Sequence, residues 1–409
     1  MKEDVIIIGG GAAGLCTAVT LKRLDRNLSV RLIEALPRVG KKLALTGNGR
    51  CNISNREISV SRYHGKNPEF AEFALKKYNR TVCEDFFADL GVPFVYEGDK
   101  AYPASLQAAS VVDCLRFAAD DLGVLVNTET RVGNIQLTKD GYKVIAGNLS
   151  FFADNVVVAA GLLSGGEAVG CRGDIIALLK RSGFKTVPMY PAIVQLKTNT
   201  ETVKQLKGIK INAAVTLSCE GNVLRREYGE VLFCDYGLSG PPILQVSGTA
   251  AKHKNCTVSL DAAGGKTFKE LEFELSRRAE KLKNRKLEEF FTGMLNKRLG
   301  QVVLKNAGLS LASPVSSLNA SEIRKIAAGL KNMCFTVTGN TGFTSSQVTS
   351  GGLDTSQFDP KTMMCRECRG LYAVGEILDI DGDCGGFNLQ WAWSSAMCAA
   401  NGIAKGKTK

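Results

Sequence analysis

Histidine is almost missing from this chain: His64 and His253 are the only two among 409 residues. A zinc site has little to draw on, because the single C-x-x-C, Cys365 and Cys368, lacks the second ligand pair that such a site needs. No apolar run reaches the roughly 18 residues required to span a bilayer. The first strand-like run begins at Val5, which leaves no room for a signal peptide. Tandem repeats and low-complexity tracts are absent as well. These absences predict a cytoplasmic protein with no membrane partner and no metal. Cysteine, by contrast, is plentiful, with thirteen residues. They sit in apolar or helical settings such as Cys16, Cys83, Cys114 and Cys398 rather than at disulfide-framework spacing, so thiols in a reducing compartment are expected. Neither histidine falls in a motif, and neither is assigned a catalytic role.

What is present is a chain long enough for two domains, with 44% apolar residues and an excess of 52 Lys/Arg over 40 Asp/Glu that gives a net charge of +12. Eleven basic against six acidic residues lie between Lys266 and Lys305. Apolar spacing there is helical, so a solvated helix face is the expected reading. A phosphate-bearing substrate such as a coenzyme A thioester is the sharper alternative, and a nucleic-acid partner is not expected.

The most informative stretch is VIIIGGGAAGL, Val5 to Leu15. Val5–Ile8 has strand character, Gly9, Gly11 and Gly14 form G-x-G-x-x-G, and Ala12–Leu24 has helical apolar spacing. Gly9 permits the turn, Gly11 lets backbone approach a pyrophosphate, and Gly14 allows close helix–strand packing. The helix start offers unpaired N–H groups and positive dipole. SVRLIE then reads as a second strand, ending in Glu34 where a carboxylate can accept ribose hydroxyls. The pattern predicts a dinucleotide site but does not separate NAD from FAD. No second G-x-G-x-x-G follows a strand, so no separate nicotinamide domain is visible; NADH binding transiently, or another reductant, remains open.

Further along, RVGKKLALTGNGRCNISN forms a glycine-rich basic loop. Residues 67–90 read as helical, Gly98–Ser105 as a turn, Gln107–Leu122 as helix, and 124–128, 131–137 and 142–146 as strands. FFADNVVVAAG ends at Gly161, where small residues let a chain pass beneath a ligand. After Pro188, residues to 264 alternate as strands do, and residues from Thr267 to about 330 are helical and charged. The last section, from Gly370 to Ala400, reads as buried strand, glycine-rich loop and helix. The expected division is 1–189 for a first part of the nucleotide-binding domain, 190–339 for an inserted β-rich and helical domain, and 340–409 for the second part.

A fingerprint at the N-terminus paired with a late strand ending in VGE, followed by Asp379, resembles the two-part Rossmann-type FAD-binding domain of glutathione-reductase-like flavoproteins. The motifs TGNGRCN (46–52), GLSGPPIL from Gly237, VTSGGL from Val348 and GEILDIDGDCGGFNLQWAWSS from Gly375 narrow this. With them the chain is similar, over nearly its whole length, to the BaiN-like family of FAD-dependent oxidoreductases, which includes aminoacetone-oxidase-like members. The resemblance implies an α/β fold with an inserted domain over the flavin and FAD as cofactor. Its implied activity is reduction of ring double bonds in a 3-oxo-4,6-diene bile-acid intermediate, or alternatively amine oxidation. It implies that Gly9, Gly11, Ala13 and Gly14 hold the pyrophosphate and Glu34 the ribose, with Lys41 and Lys42 beside the phosphates. Thr46, Gly47, Arg50, Cys51 and Asn52 line the flavin, and Val132 lies on the strand that meets adenine. Ala160 and Gly161 pass beneath the cofactor, while Gly375, Glu376, Asp379, Asn388 and Leu389 contact ribitol and the pyrimidine edge. The helix after GGFNLQ aims N–H groups at the flavin and stabilises its reduced anion. Tyr102, in KAYPAS, is the candidate proton donor or carbonyl anchor. One departure stands out: the tyrosine that such proteins carry in the segment matching Ala159–Asp174 is absent. Other classes remain open, among them an RNA-associated flavoprotein and a flavin-binding regulator.

Overall fold

The structure, a computed structural model, describes residues 2–407. It divides into two units, residues up to 191 together with those from 343 onward, and residues 192–342. The boundaries expected from sequence stood at 189/190 and 339/340.

In the first unit, β1 (Lys2–Ile8) leads through α1 (Ala12–Leu24) to β2 (Val30–Ile33). The strand β1 is central and parallel to both β2 and Leu149–Val158. On one side β2 pairs in parallel with Leu125–Asn127; on the other, Leu149–Val158 pairs in parallel with Leu371–Ala373. Antiparallel strands Gly141–Ala146 and Asn134–Thr138 extend the sheet to seven strands. Val5, Ile6 and Ile7 are fully buried, which explains the continuous apolar run where an alternating one would mark a half-exposed strand. The register aligns Ile8 with Ile33 and Val158, and Val158 with Ala373. Four carboxyl ends therefore finish in one row, the place where open α/β sheets bind ligands.

The helix Phe387–Lys407 is the other centre of this unit. Its small buried residues, among them Ser394, Ser395, Ala396, Ala399 and Ala400, allow close packing on α1, where Cys16 Sγ reaches the Trp393 carbonyl at 4.0 Å. Trp391 and Trp393 are buried with their indole N–H groups satisfied by the Gly375 and Ile53 carbonyls, at 3.1 and 3.0 Å. One local expectation is corrected. The segment 98–105 is not simply a turn, because Lys100–Pro103 is a strand paired with Phe94–Glu97 as a hairpin.

The second unit is a closed six-stranded barrel. Lys210–Cys219 alternates burial along its length, as one buried face requires. Helices Phe268–Lys281, Lys297–Asn306 and Ala320–Lys331 cover the core and match the charged helical stretch expected there. Pro241–Lys252 is a further helix inside the region read as strands; its two opening prolines fit a first turn, where no intrahelical N–H is lost. Cys219 and Cys256, opposite each other on adjacent strands, form a disulfide, which corrects the expectation of thiols throughout. Sequence spacing missed it because strand register, not separation along the chain, brings the two together.

Candidate functional site

Two glycines of the first motif, Gly9 and Gly14, have a steric reason to be glycine. A Cβ on Gly14 would lie 1.9 Å from the Gly9 carbonyl oxygen, and one on Gly9 would meet the Ala159 oxygen at 2.5 Å. Gly11, by contrast, faces open space. It is the N-cap of α1 with no side chain capping the helix, so the N–H groups of the first turn are left for an anion. Glu34 sits just beyond β2 with Oε2 accepting from Gly10 N and Oε1 from Leu36 N, both at 2.8 Å. A carboxylate has further lone pairs on each oxygen, so these bonds fix its orientation and still leave acceptors for two hydroxyls.

The late motif closes on the same point. Gly375 adopts φ +71°, and a Cβ there would meet Ala13 Cβ at 2.9 Å. Its neighbour Glu376 takes an ion pair from Lys42 at 2.5 Å and accepts from Thr349 N at 2.9 Å. Burial disfavours the Lys42 ammonium, but the Glu376 carboxylate outweighs this and raises its pKa. Thr349 Oγ1 in turn accepts from Leu163 N and Ser164 N, which ties the loop after Ala160 and Gly161 into the same network. Cys171 lies near Lys42, and burial pushes its thiol up to about 11 against that pull.

At the other end, the TGNGRCN loop is built on left-handed backbone. Gly47, Asn48, Gly49 and Cys51 all have φ between 55° and 82°, and Cys51 N closes the turn onto Thr46 O at 2.9 Å. Cys51 is fully buried and its thiol is pushed up to about 12, which suits a small lining residue and not a reactive thiolate. With its amide oriented to satisfy its neighbours, Asn52 accepts from Gly386 N at 3.3 Å and donates to the Ala101 and Ser54 carbonyls. Gly386 crosses so close to Ser54 that a Cβ would meet the Ser54 oxygen at 2.3 Å. Asn388 braces the preceding loop, exchanging hydrogen bonds with Gly382 N and O at 2.8 Å. Leu389 packs half-buried on the core. Asp379 is buried and accepts from Lys66 N at 2.8 Å. Contacts thus join Gly375 to Ala13 and Glu376 to Lys42 on one side, and Asn52 to Gly386 on the other. Arg50 differs: it pairs with Glu97 and lies over the Tyr102 ring at 4.6 Å. Lys41 is exposed, and Val132 is buried in the core.

The family described as HI0933-like protein Rossmann domain matches residues 3–402. This chain belongs to the HI0933-like Rossmann family. Within it, the chain is 33% identical to the 3-dehydro-bile acid delta(4,6)-reductase of Clostridium scindens, over 98% of each chain. It is 27% identical to the ribosomal RNA dihydrouridine synthase of Haemophilus influenzae, covering 98% of this chain and 99% of that one. Among solved structures, the 3-ketosteroid-delta4-(5alpha)-dehydrogenase of Rhodococcus jostii shares the fold with a TM-score of 0.51 at 14% identity, over 98% of this chain and 97% of that one. The family match and the relatives together support a Rossmann-fold, flavin-dependent oxidoreductase, and the glycine cradle and open helix start fit a dinucleotide.

His64, outside the motifs in sequence, stands beside the late motif in space. Tyr63 and His64 pair as a short strand with Gly382 and Asp381 of the late motif. His64 Nε2 lies 2.8 Å from Asp383 Oδ1, and Arg62 Nη1 lies 3.3 Å from Asp383 Oδ2. Tyr63 OH donates to the Phe387 carbonyl at 3.0 Å. No periodicity marks Arg62–His64; the available signal was one of only two histidines standing a few residues after TGNGRCN. His253 is exposed on the barrel unit. Among the described residues, no group of three or more His, Cys, Asp or Glu forms a metal site, and no helix is long and apolar enough to cross a membrane.

Proposed function

We propose that this chain is an FAD-dependent reductase acting on a ring carbon–carbon double bond conjugated to a carbonyl, with a 3-oxo-4,6-diene bile-acid intermediate as its substrate class. The observation that carries the reading is full-length 33% identity to the Clostridium scindens bile-acid reductase. FAD is the flavin that suits a cleft with a nucleotide end at Gly9–Gly14 and Glu34 and a ring end at Thr46–Asn52 and Gly375–Leu389. Bound and reduced, it supplies a hydride to the β-carbon. The first turn of α1 would hold the phosphate, Glu34 the ribose, and the start of the helix Phe387–Lys407 would stabilise negative charge on the ring. NADH is the proposed electron source, acting as a transient partner.

Anaerobic addition of NADH should bleach the flavin band near 450 nm, and a 3-oxo-4-ene steroid should then restore it. A reduced flavin that no such enone reoxidises would sink the reading.

A second reading rests on charge. Residues 192–342 hold 22 Lys/Arg against 13 Asp/Glu, so +9 of the net +12 resides there. Together with the Haemophilus influenzae relative, this supports the uracil ring of ribosomal RNA as substrate, since its C5=C6 bond is likewise conjugated to a carbonyl. RNA that reoxidises the flavin, with binding that weakens steeply in salt, would select this reading over the steroid.

A further inference from the structure

Reducing a conjugated double bond needs a proton at the α-carbon as well as a hydride at the β-carbon, and the donor must reach substrate. Tyr102 is poorly placed for this. It is 7% exposed, its ring lies beneath Arg50, and burial raises its phenol further above the usual range against that guanidinium. His64 has the opposite character. Its side chain is about one-third exposed, while the carboxylate holding it, on Asp383, is only 3% exposed. Asp383 is fixed in turn by Arg62, whose guanidinium also stacks over Phe387 at 5.0 Å. Asp383 N donates to the Arg62 carbonyl at 2.9 Å, so backbone and side chains lock the same pair. With Nε2 committed to Asp383, Nδ1 has no protein partner among the described residues. A histidine oriented by a buried carboxylate, with its second nitrogen open, is the arrangement of a general acid. The pairing of His64 with Asp381 sets it beside the loop that leads into Gly385–Leu389.

We infer that His64 is the proton donor of the reductive step, positioned by Asp383 and Arg62; the inference rests on the reductase reading above. The β-carbon receives the hydride, the π electrons move to the carbonyl oxygen as an enolate, and the α-carbon takes the His64 Nδ1 proton, which solvent replaces. A nitroalkene separates the two transfers, because it accepts hydride and persists as a nitronate without immediate protonation.

The experiment compares FAD-loaded wild type, H64Q, D383N, Y102F and the control H253Q. Each is photoreduced anaerobically and mixed with 4-androstene-3,17-dione or 1-nitrocyclohexene. H64Q is expected to slow reoxidation by the enone about 100-fold, with a smaller loss in D383N. Nitroalkene reoxidation should stay within about threefold of wild type, and H253Q should match wild type with both acceptors. As a readout independent of turnover, FAD should shield His64 but not His253 from acylation by diethyl pyrocarbonate, read by peptide mass. The assignment is overturned if H64Q retains wild-type enone reoxidation, if both acceptors slow equally, if Y102F alone separates them, or if His64 is acylated equally with and without FAD. A wild-type flavin left reduced by the enone overturns the reductase reading itself, which sets that failure apart from failure of the His64 assignment.

Discussion

Gly14 shows how much a single missing side chain decides. A methyl group there would overlap the Gly9 carbonyl, so G14A must push α1 off the sheet, at a cost of roughly 1–3 kcal/mol or more. The purified variant is expected to carry little flavin, measured as the ratio of absorbance at 450 and 280 nm. Thiols offer a second test at this scale. Cys16, Cys51 and Cys83 are fully buried, and burial keeps each neutral well above physiological pH. Iodoacetamide at pH 8 should therefore label exposed Cys334 first and spare these three, read by peptide mass. Asp354 carries a pH signature. Burial pushes its carboxyl up, but hydrogen bonds from Lys66 Nζ and Ser356 outweigh this and hold it down at about 2. Its ordinary value is near 4. A depressed folded value means that Asp354 stabilises the fold above about pH 4 and loses that contribution as pH falls toward 2. D354N should flatten this limb of the urea midpoint against pH, modestly, because Lys66 is mostly exposed.

Among elements, the helix Phe387–Lys407 does most to join distant segments. Gln390 is fully buried. Its Oε1 accepts from Ser54 Oγ at 2.6 Å, and Nε2 donates to the Tyr78 carbonyl and to Ser394 Oγ. Q390L keeps the volume but strands these partners, and is expected to cost about 1–3 kcal/mol in denaturant unfolding. The elements themselves were largely legible. Strand, turn, helix and acid in register announced β1, α1 and β2, and alternation announced the barrel strands. Three features were not. The Phe94–Pro103 hairpin and the Pro241–Lys252 helix are short or proline-opened, so periodicity has little to act on. The Tyr63–His64 strand exists only because Asp381 and Gly382 arrive beside it, a pairing that no local pattern encodes. Motif resemblance assigned Arg50 to the cofactor; in the structure its guanidinium pairs with Glu97 and lies over the Tyr102 ring.

At the scale of the molecule, both tryptophans, Trp391 and Trp393, lie in the unit that carries the Rossmann sheet. Indole fluorescence therefore reports that unit and not the barrel. FAD at about 100 times its dissociation constant stabilises the state that binds it by about 2.7 kcal/mol. Tryptophan-detected melting should move upward with FAD, while hydrogen exchange of residues 192–342 should change little. A uniform shift in both signals would show that the two units unfold as one.

The bond between Ser54 and Gln390 spans 336 positions of chain. Both tryptophans and much of the central packing belong to a helix synthesised long after β1, α1 and β2, so a nascent chain on the ribosome has its first sheet strands well before it has their covering. The cofactor cleft can form only once translation has passed Gln390. Flavin retention is thus a test of whether synthesis has passed this helix, and ribosome-stalled chains ending before Phe387 should emerge colourless and sensitive to protease.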